Sequence, residues 1–389
     1  MNVLIFTSAM VEKEFAEYQT VADIKPNPSN QNFYAKLIKA LSFNNNVSVI
    51  SHRPFVKGMF DDPILERKQT IDKGVKYYYT KIETSRFYKL KGEAKEIVSV
   101  AEKAIKELSS DKFVIVVDTL RINLLRAAKI VAKKHKAKIV GVLTDNPANL
   151  SNVKAKYTKI IIKNSLKLDG YLALSKGLLK TFKVEKKPNY IFEGLVDELI
   201  QTKKQPIGEY YFFGGALFER YGVKNLIDAF SEMNLKQKLV IAGNGPLKEY
   251  IYNYAEKNGK ILYLSQLPKE QIYGLEQNSI ANINPRPFSR KLDEESVPSK
   301  LLEYLASGVP TISTVHSKLF EIFKDDVFWI TDSSKEGIIN AIKNFTELDK
   351  SKLKKQATTA RLKVFEIYGV KNQGERISYF LTSLSSSNN

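Results

Sequence analysis

Short apolar segments alternate with amphipathic, helix-forming segments along most of this chain, and this alternation constrains the fold more than any other feature. Strands that alternate with helices form parallel sheets with helices packed on both faces. We therefore predict doubly wound α/β sheets. The predicted strands are residues 2–8, 47–51, 75–80, 113–118, 138–143, 170–174, 210–214, a strand that begins at 238, 261–265, 280–284, 309–313 and 327–330.

The length of 389 residues accommodates two domains of ordinary size, and a hydrophobic fraction of 43% is enough for two cores. A polar, lysine-containing stretch that includes Pro206 interrupts the alternation. We predict an N-terminal domain over residues 1–197, a linker over 198–208 and a C-terminal domain over 209–368. A last helix and a polar tail occupy 369–389.

Residue types that are rare or absent exclude several kinds of site. The chain has no cysteine, which excludes disulfides, thiolate metal sites and a cysteine nucleophile. With three histidines, a metal site built from histidine is not expected. No apolar run approaches the roughly 18 residues of a membrane-spanning helix, so we expect a cytoplasmic protein.

Positive charge is concentrated in the first half of the chain. Residues 1–195 hold 35 Lys and Arg against 19 Asp and Glu, whereas the remaining residues hold 26 against 23. An anionic membrane, a nucleic acid or a polyanionic substrate would each suit such a domain. The lysine-rich segment 154–167 alternates lysine with apolar residues and is compatible with an anionic membrane surface. Solvated lysine-rich faces are the simpler alternative.

Two glutamates eight positions apart mark the most informative stretch of the second half. Glu295 lies in a turn before Pro298, which suits the first turn of a helix, and Glu303 falls about two turns into the apolar-periodic segment that follows. Gly308 suits the end of that helix. A helix N-terminus attracts anions, and a carboxylate beside it can accept hydrogen bonds from sugar hydroxyls. The spacing alone also fits two surface glutamates.

Together with its flanking sequences, this stretch resembles the nucleotide-sugar half of GT-B glycosyltransferases, in particular glycosyltransferase family 4. The segments Asn-Pro-Arg-Pro before it and Gly-Val-Pro-Thr after it carry the resemblance. The resemblance implies two Rossmann-like domains with a cleft between them and a last helix that returns to the N-terminal domain. It also implies that Glu295 faces the donor sugar, that Glu303 holds the ribose, and that Ser296 and Val297 line the donor site.

A glycine turn after the first strand of the second half resembles the family-4 segment in which an arginine and a lysine hold the donor diphosphate. Gly214 and Gly215 open this turn. After alignment, the places of the two cations are occupied by Ala216 and Tyr221. The resemblance therefore assigns the phosphates to the neighbouring Arg220, for which an exposed loop arginine is the alternative.

Three further features of the second half are assigned to the donor site. The turn Gly243-Asn244-Gly245 closely resembles the strand–turn–helix segment of the family. Arg286 follows a strand and is expected to neutralise phosphate or to support the first glutamate. Lys300 lies one turn before the second glutamate and is expected to pair with a glutamate or to reach a phosphate. A surface turn is the alternative for Arg286.

Two acids of the first half, Asp118 and Asp145, lie at the carboxyl ends of predicted strands, and parallel sheets bind ligands at that edge. Many family-4 members have a histidine at the place of Asp145, so the resemblance suggests an acceptor-binding or base role. An Asp turn before a proline is the alternative. The loop from the first strand to about residue 32 lacks the glycines of the family, and Ser29 or Asn30 is expected to cap the next helix.

The resemblance implies a retaining, metal-independent transferase that needs no cofactor besides its donor substrate, a nucleotide diphosphate sugar and most simply a UDP-sugar. The acceptor would be a glycan or a lipid-linked sugar in capsule, exopolysaccharide or cell-wall assembly. The basic first half suggests peripheral binding at the inner face of a bacterial membrane. Two alternatives stay open: a non-catalytic GT-B protein that binds a partner transferase or glycan, and, ranked last for want of a motif, a nucleic-acid-binding protein.

Overall fold

The computed structural model describes residues 1–26, 28–56, 58–60, 64–83, 92–150, 155–198, 207–296 and 298–386. Strands and helices alternate through the first half of the chain. They are β1 Asn2–Thr7, α1 Glu12–Val21, α2 Pro28–Ser42, β2 Asn46–Ser51, β3 Ile64–Leu65, β4 Lys68–Asp72, β5 Val75–Tyr79, β6 Ile82–Glu83, α3 Glu93–Lys106, β7 Phe113–Asp118, α4 Ile122–His135, β8 Lys138–Leu143, α5 Ala155–Ser165, β9 Gly170–Ala173, α6 Lys176–Phe182 and β10 Asn189–Ile191.

The second half alternates in the same way. Its elements are β11 Tyr210–Gly214, α7 Val223–Glu232, β12 Lys238–Ala242, α8 Lys248–Asn258, β13 Ile261–Tyr263, α9 Lys269–Asn278, β14 Ala281–Asn284, α10 Arg290–Glu295, α11 Ser299–Ser307, β15 Thr311–Thr314, α12 Ser317–Phe323, β16 Phe328–Ile330, α13 Lys335–Thr346, α14 Lys350–Tyr368 and α15 Val370–Ser386.

The chain divides into two compact units. The first comprises Met1–Leu195, Glu294–Ser296 and Val370–Asn389, and the second comprises Val196–Asp293 and Val297–Gly369. Helix α15 therefore packs in the first unit although it ends the chain. Most of the predicted linker, residues 198–208, lies outside the described residues, which resume at 207.

The first unit contains an eight-stranded sheet in the order β10-β9-β8-β7-β1-β2-β5-β4, parallel except for the antiparallel β4–β5 pair. Alternate residues of β1, in the middle of the sheet, point to opposite faces and pack in different cores, because successive side chains of a strand alternate. Val3 and Ile5 pack with residues of α1, α2 and α15. Leu4 and Phe6 pack with residues of α3 to α6 on the other face. Helices therefore cover both faces of this sheet.

The second unit contains a six-stranded, wholly parallel sheet in the order β13-β12-β11-β14-β15-β16. Tyr211 and Phe213 enter the core shared with α7 and α13, whereas Tyr210 and Phe212 enter a second core with Leu275 of α9. The predicted α/β class with doubly wound parallel sheets is confirmed in both units.

Of three local predictions about helices and loops, the structure confirms one and corrects two. The predicted helix after Pro298 is confirmed as α11, and Gly308 ends it in the left-handed region with φ of 74°. Glu295, predicted in a turn, is instead the last residue of α10. The predicted loop to residue 32 contains α1, whose buried Phe15 and Tyr18 lie three positions apart. With so few apolar positions, the helical period of this segment is hard to detect from sequence.

Candidate functional site

The binding edge of the second unit lies where its strand order reverses. From β11 the chain continues to β12 and β13 on one side, whereas β14, β15 and β16 follow on the other. Open parallel sheets bind ligands beyond the carboxyl ends of the strands at such a point. The loops after β11 and β14 pack tightly here, since a Cβ at Gly222 would lie 2.0 Å from the carbonyl oxygen of Pro285. Only glycine fits at this contact.

The predicted glycine turns of the donor site contact each other. Gly243 has φ of 147°, and a Cβ there would lie 1.8 Å from the carbonyl oxygen of Gly215. A Cβ at Gly245 would lie 2.6 Å from the carbonyl oxygen of Leu217, whose N–H donates to the Asn244 carbonyl at 3.0 Å. Close packing of the β11 and β12 loops thus accounts for these glycines, and their contact with a donor stays a prediction.

Gly214 is held by a buried tyrosine of α11. Its N–H donates to the Tyr304 hydroxyl at 2.9 Å, and the same hydroxyl is 3.3 Å from the Gly214 carbonyl oxygen. The glycine turn after β11 and the first two turns of α11 are therefore fixed to each other. This contact brings the two stretches that sequence assigned to the donor, around Gly214 and around Glu303, to one edge of the sheet.

An ion cluster lies on α11 beside this edge. Lys300 Nζ is 2.8 Å from Glu303 Oε2 and 3.6 Å from Oε1 of Glu276, a residue of α9 with no solvent exposure. Burial acts to lower the pKa of Lys300, but the charges of Glu303 and Glu276 outweigh it and hold the pKa above its usual value. The predicted pairing of Lys300 with a glutamate is present, and Glu276 is a partner that sequence reasoning missed.

Two arginines share one aromatic side chain at the loops after β11 and β14. The Arg220 guanidinium lies 5.1 Å from the ring centre of Tyr221, and the Arg286 guanidinium lies 5.7 Å from the same ring. Arg220 also lies 4.8 Å from the ring of Phe218. Burial lowers the pKa of Arg286, and the nearby charge of Arg220 lowers it further. Two cations held this close form a favourable place for an anion.

A depression beside Arg286 adds residues that sequence reasoning did not single out. It is lined by Asn284, Arg286, Pro287, Phe288, Ser289, Asp293, Pro298, Thr314, Val315 and His316. His316 Nε2 lies 3.3 Å from Asp293 Oδ1, which also accepts from the Ser317 N–H at 3.0 Å. These contacts fix the start of α12 to α10. Histidine and aspartate this far apart in sequence leave no local signal.

Glu295 belongs to the short segment of the first unit, Glu294–Ser296. Its carboxylate accepts hydrogen bonds from Asn146 Nδ2 at 3.0 Å and Asn149 Nδ2 at 3.2 Å. Its carbonyl accepts from the Ser175 hydroxyl at 3.0 Å. Two amides therefore orient this carboxylate. Ser296, the next predicted residue, is described in the same segment, whereas Val297 lies outside the described residues.

The first unit has its own polar edge at the carboxyl ends of β1 and β7. Asp118, fully buried, accepts from Asn30 Nδ2 at 3.2 Å, and the Asn30 side-chain oxygen accepts from Ser8 at 2.9 Å. Helix α2 begins at Pro28, so Asn30 lies in its first turn and the prediction that it caps the helix is wrong. The same correction applies to Ser29.

Asp145 follows β8 at the same edge. Although its side chain is exposed, partial desolvation and then the negative charge of Asp118 raise its pKa to about 6. Such a carboxylate is ionised at neutral pH yet basic enough to accept a proton. The structure thus gives Asp145 properties that suit the predicted base, and the role itself stays a prediction.

The described residues contain neither a cluster of metal-ligand side chains nor a helix that could span a membrane. In the parts of the chain that the structure covers, no three or more histidine, aspartate or glutamate side chains cluster as metal ligands would. Among the described helices, none combines the length and apolar character needed to cross a membrane.

Comparison with known proteins agrees with the fold. Residues 198–363 match the family model described as "Glycosyl transferases group 1". No curated protein matches the chain. A sucrose-phosphate synthase from Thermosynechococcus elongatus superimposes with a TM-score of 0.71 at 11% identity, with 100% of both chains covered.

Two further solved structures contain ligands. An E. coli structure titled trehalose-6-phosphate, bound with UDP-2-fluoro glucose, gives a TM-score of 0.67 at 9% identity and covers 99% of both chains. Anabaena Alr3699/HepE in complex with UDP-glucose gives 0.62 at 14% identity and covers 98% of this chain and 100% of that one. At these identities the likeness establishes architecture alone. The chain therefore has the GT-B fold, and its residues 198–363 are similar to glycosyl transferases group 1.

Proposed function

We propose that the protein transfers a sugar from a nucleotide diphosphate sugar, most simply a UDP-sugar, to a hydroxyl group of an acceptor. The observation that carries the proposal is the Glu276–Lys300–Glu303 cluster, which lies inside the matched domain at the edge where parallel sheets bind ligands. Two solved structures of the same fold contain UDP-2-fluoro glucose or UDP-glucose.

The residues of the second unit suit a donor of this chemistry. Glu303 offers a carboxylate oxygen to the ribose hydroxyls, and Lys300 holds that carboxylate in place. Arg220 and Arg286 supply positive charge for the diphosphate, which gains negative charge as the bond to the sugar breaks. Gly214, Gly215, Gly243, Asn244 and Gly245 form the adjoining backbone turns.

The residues of the first unit suit the acceptor and the sugar. The bond from the sugar carbon to the diphosphate breaks, and a bond to the acceptor oxygen forms. Asp145 accepts the proton that the acceptor hydroxyl loses, since its carboxylate is ionised above pH about 6. Glu295, oriented by Asn146 and Asn149, faces the donor sugar. Family-4 resemblance supports retention of configuration without a metal.

We further propose a setting in bacterial cell-surface polysaccharide assembly, such as capsule or exopolysaccharide. The acceptor is a glycan or lipid-linked sugar, reached from the cytoplasmic side of the membrane. The concentration of positive charge in residues 1–195 supports an acceptor carried by an anionic surface.

Calorimetric titration with UDP, GDP and ADP tests the donor site. The parent protein should bind UDP selectively, and Glu303→Ala should lower the affinity at least about tenfold, because a charged hydrogen-bond acceptor for the ribose is lost. Glu336→Ala serves as the control, since Glu336 is an exposed residue of α13 in the same unit. Absence of nucleotide binding, or equal binding by both variants, would refute the assignment.

A non-catalytic GT-B protein is the second candidate, favoured by Ala216 and Tyr221 at the places of the two family cations. The Tyr221 ring contacts both arginines and contributes no charge of its own. On this reading the protein binds UDP-sugar but does not consume it. UDP release from a panel of UDP-sugars, with and without short glycan acceptors, separates the two candidates.

A further inference from the structure

Helices α4 and α5 present aligned basic side chains on the surface of the first unit. The exposed side chains of α5 include Lys156, Lys159 and Lys163, at positions i, i+3 and i+7. Residues at this spacing lie on one face of a helix. The buried residues of α5 are Ile161 and Ser165, on the opposite face. The lysines therefore point away from the core in a single row.

Helix α4 repeats the pattern at the same spacing. Arg126, Lys129 and Lys133 occupy its outward face, and its apolar residues are buried against the sheet. Lys129 Nζ donates to the carbonyl oxygen of Asn164, at the end of α5, and its pKa is lowered by burial and by the charge of Lys167. The two rows are thus neighbours on one continuous surface, which we call the α4–α5 surface.

The charge of the α4–α5 surface is not balanced by neighbouring acids. Residues 119–168 contain twelve lysines and arginines and a single acid, Asp145. In the described part of the chain, none of the six side chains in the two rows lies in an ion pair. Helix α3, in the same layer, differs: its Glu96 pairs with Arg67 at 2.6 Å, and its Glu102 pairs with Lys134 at 2.8 Å.

Exposed apolar side chains accompany this charge. Ile130 of α4 is 51% exposed and lies one turn from Arg126 and Lys133 on the outward face of that helix. Tyr157 of α5 is 42% exposed and lies on the flank of its helix, near enough to Arg126 of α4 to feel that charge. At one end of the α4–α5 surface, burial raises the pKa of Tyr157, and the negative charge of Glu93 raises it further. The Glu93 carboxylate also accepts a hydrogen bond from Asn123. Basic rows with a few apolar or aromatic side chains suit the boundary between anionic headgroups and acyl chains.

We propose that the α4–α5 surface docks the protein on an anionic lipid bilayer. The exposed cations of the two rows attract the headgroups, and Ile130 and Tyr157 enter the interface. These cations are Arg126, Lys133, Lys156, Lys159 and Lys163. This inference deepens the proposed function, because it places the transferase where a lipid-linked acceptor would be. It is nevertheless tested separately: vesicle binding needs no turnover, and UDP binding needs no membrane.

Sedimentation with vesicles tests the surface. The parent protein should bind phosphatidylcholine vesicles that contain phosphatidylglycerol, should not bind pure phosphatidylcholine vesicles, and should be released by salt. The triple variant Lys156→Gln, Lys159→Gln, Lys163→Gln should lower the partition coefficient at least about tenfold. The control removes three exposed lysines of α3 by Lys95→Gln, Lys103→Gln and Lys106→Gln.

A fluorescence reporter tests insertion and separates a membrane from other polyanions. Trp329, the single tryptophan, lies in the second unit, so Tyr157→Trp in a Trp329→Phe background reports on α5 alone. Its emission should shift to the blue with anionic vesicles. Equal vesicle binding by the parent and the α5 triple variant would refute the proposal. Preferential binding to a duplex oligonucleotide, with no shift on vesicles, would overturn it in favour of nucleic acid.

Discussion

Replacing Lys300 by methionine removes a cation that forms an ion pair with the buried Glu276. Glu276 has no solvent exposure, and its Oε1 lies 3.6 Å from Lys300 Nζ. Breaking a buried ion pair by removal of one partner costs about 3–5 kcal/mol. Because the Lys300 side chain is 37% exposed, water partly replaces the lost charge. We therefore expect the free energy of unfolding to fall by about 3 kcal/mol, the lower end of that range.

The assay uses Trp329 fluorescence during urea unfolding, because this single tryptophan lies in β16 and reports on the second unit. Lys257→Met, an exposed position on α8, is the matched control and should change stability by less than about 0.5 kcal/mol. A parent-like midpoint for Lys300→Met would refute the reasoning that the cluster is an electrostatic unit.

The pH dependence gives the same prediction a second test. Without Lys300, burial favours the neutral, protonated form of the Glu276 carboxyl over its ionised form in the folded state. A group of this kind stabilises the fold below its unfolded pKa and loses that contribution as pH rises. The loss in free energy of unfolding of Lys300→Met relative to the parent should therefore become smaller as the pH is lowered from about 8 to about 5. A deficit that is constant with pH would indicate lost packing instead.

Two other predictions concern the remaining site residues. If Asp145 is the base, kcat/KM should rise with pH through about 6, and Asp118→Asn should move the midpoint lower because a neighbouring negative charge is removed; a profile that Asp118→Asn leaves unmoved would contradict this. Gly243→Ala should lower the thermal midpoint of the protein and its UDP affinity, since the new Cβ would meet the Gly215 carbonyl at 1.8 Å. Gly259→Ala is its control, because Gly259 also has a left-handed backbone, with φ of 60°, but its new Cβ would meet no atom within 4 Å; it should lower the thermal midpoint less than Gly243→Ala and leave UDP affinity unchanged.

Most of the fold could be predicted from the sequence because its signals are local. Buried strands of a parallel sheet are short apolar runs, and helices between them repeat every three to four residues. The prediction failed where the local signal is weak. Helix α1 buries two aromatic residues on an otherwise polar segment, and the antiparallel edge strand β4, with no buried residue, has no apolar pattern to detect.

The site could be predicted only in part, because its partners are remote in sequence. The pair of Lys300 and Glu303 is local and follows from helical spacing. The hydrogen bond from Asn146 to Glu295 joins residues 149 positions apart, and no local sequence pattern near either residue predicts it. Glu276 did leave a signal: an acid beside Tyr273 and Leu275 on the buried side of α9 is out of place unless it has a charged partner.

The loop glycines of the second unit and its Glu276–Lys300–Glu303 cluster differ in what they imply. The glycines are required by the fold, whereas the cluster is evidence for a ligand-binding role of this unit. Gly222, Gly243 and Gly245 are required by contacts between loop backbones, so they would be needed in this fold with or without a ligand. A buried carboxylate with a lysine is different, because apolar residues of similar volume are often equally stable or better. Glu276→Leu with Lys300→Met should accordingly restore the stability that Lys300→Met loses. If that double variant folds like the parent but no longer binds UDP, the cluster is retained for the ligand rather than for the fold.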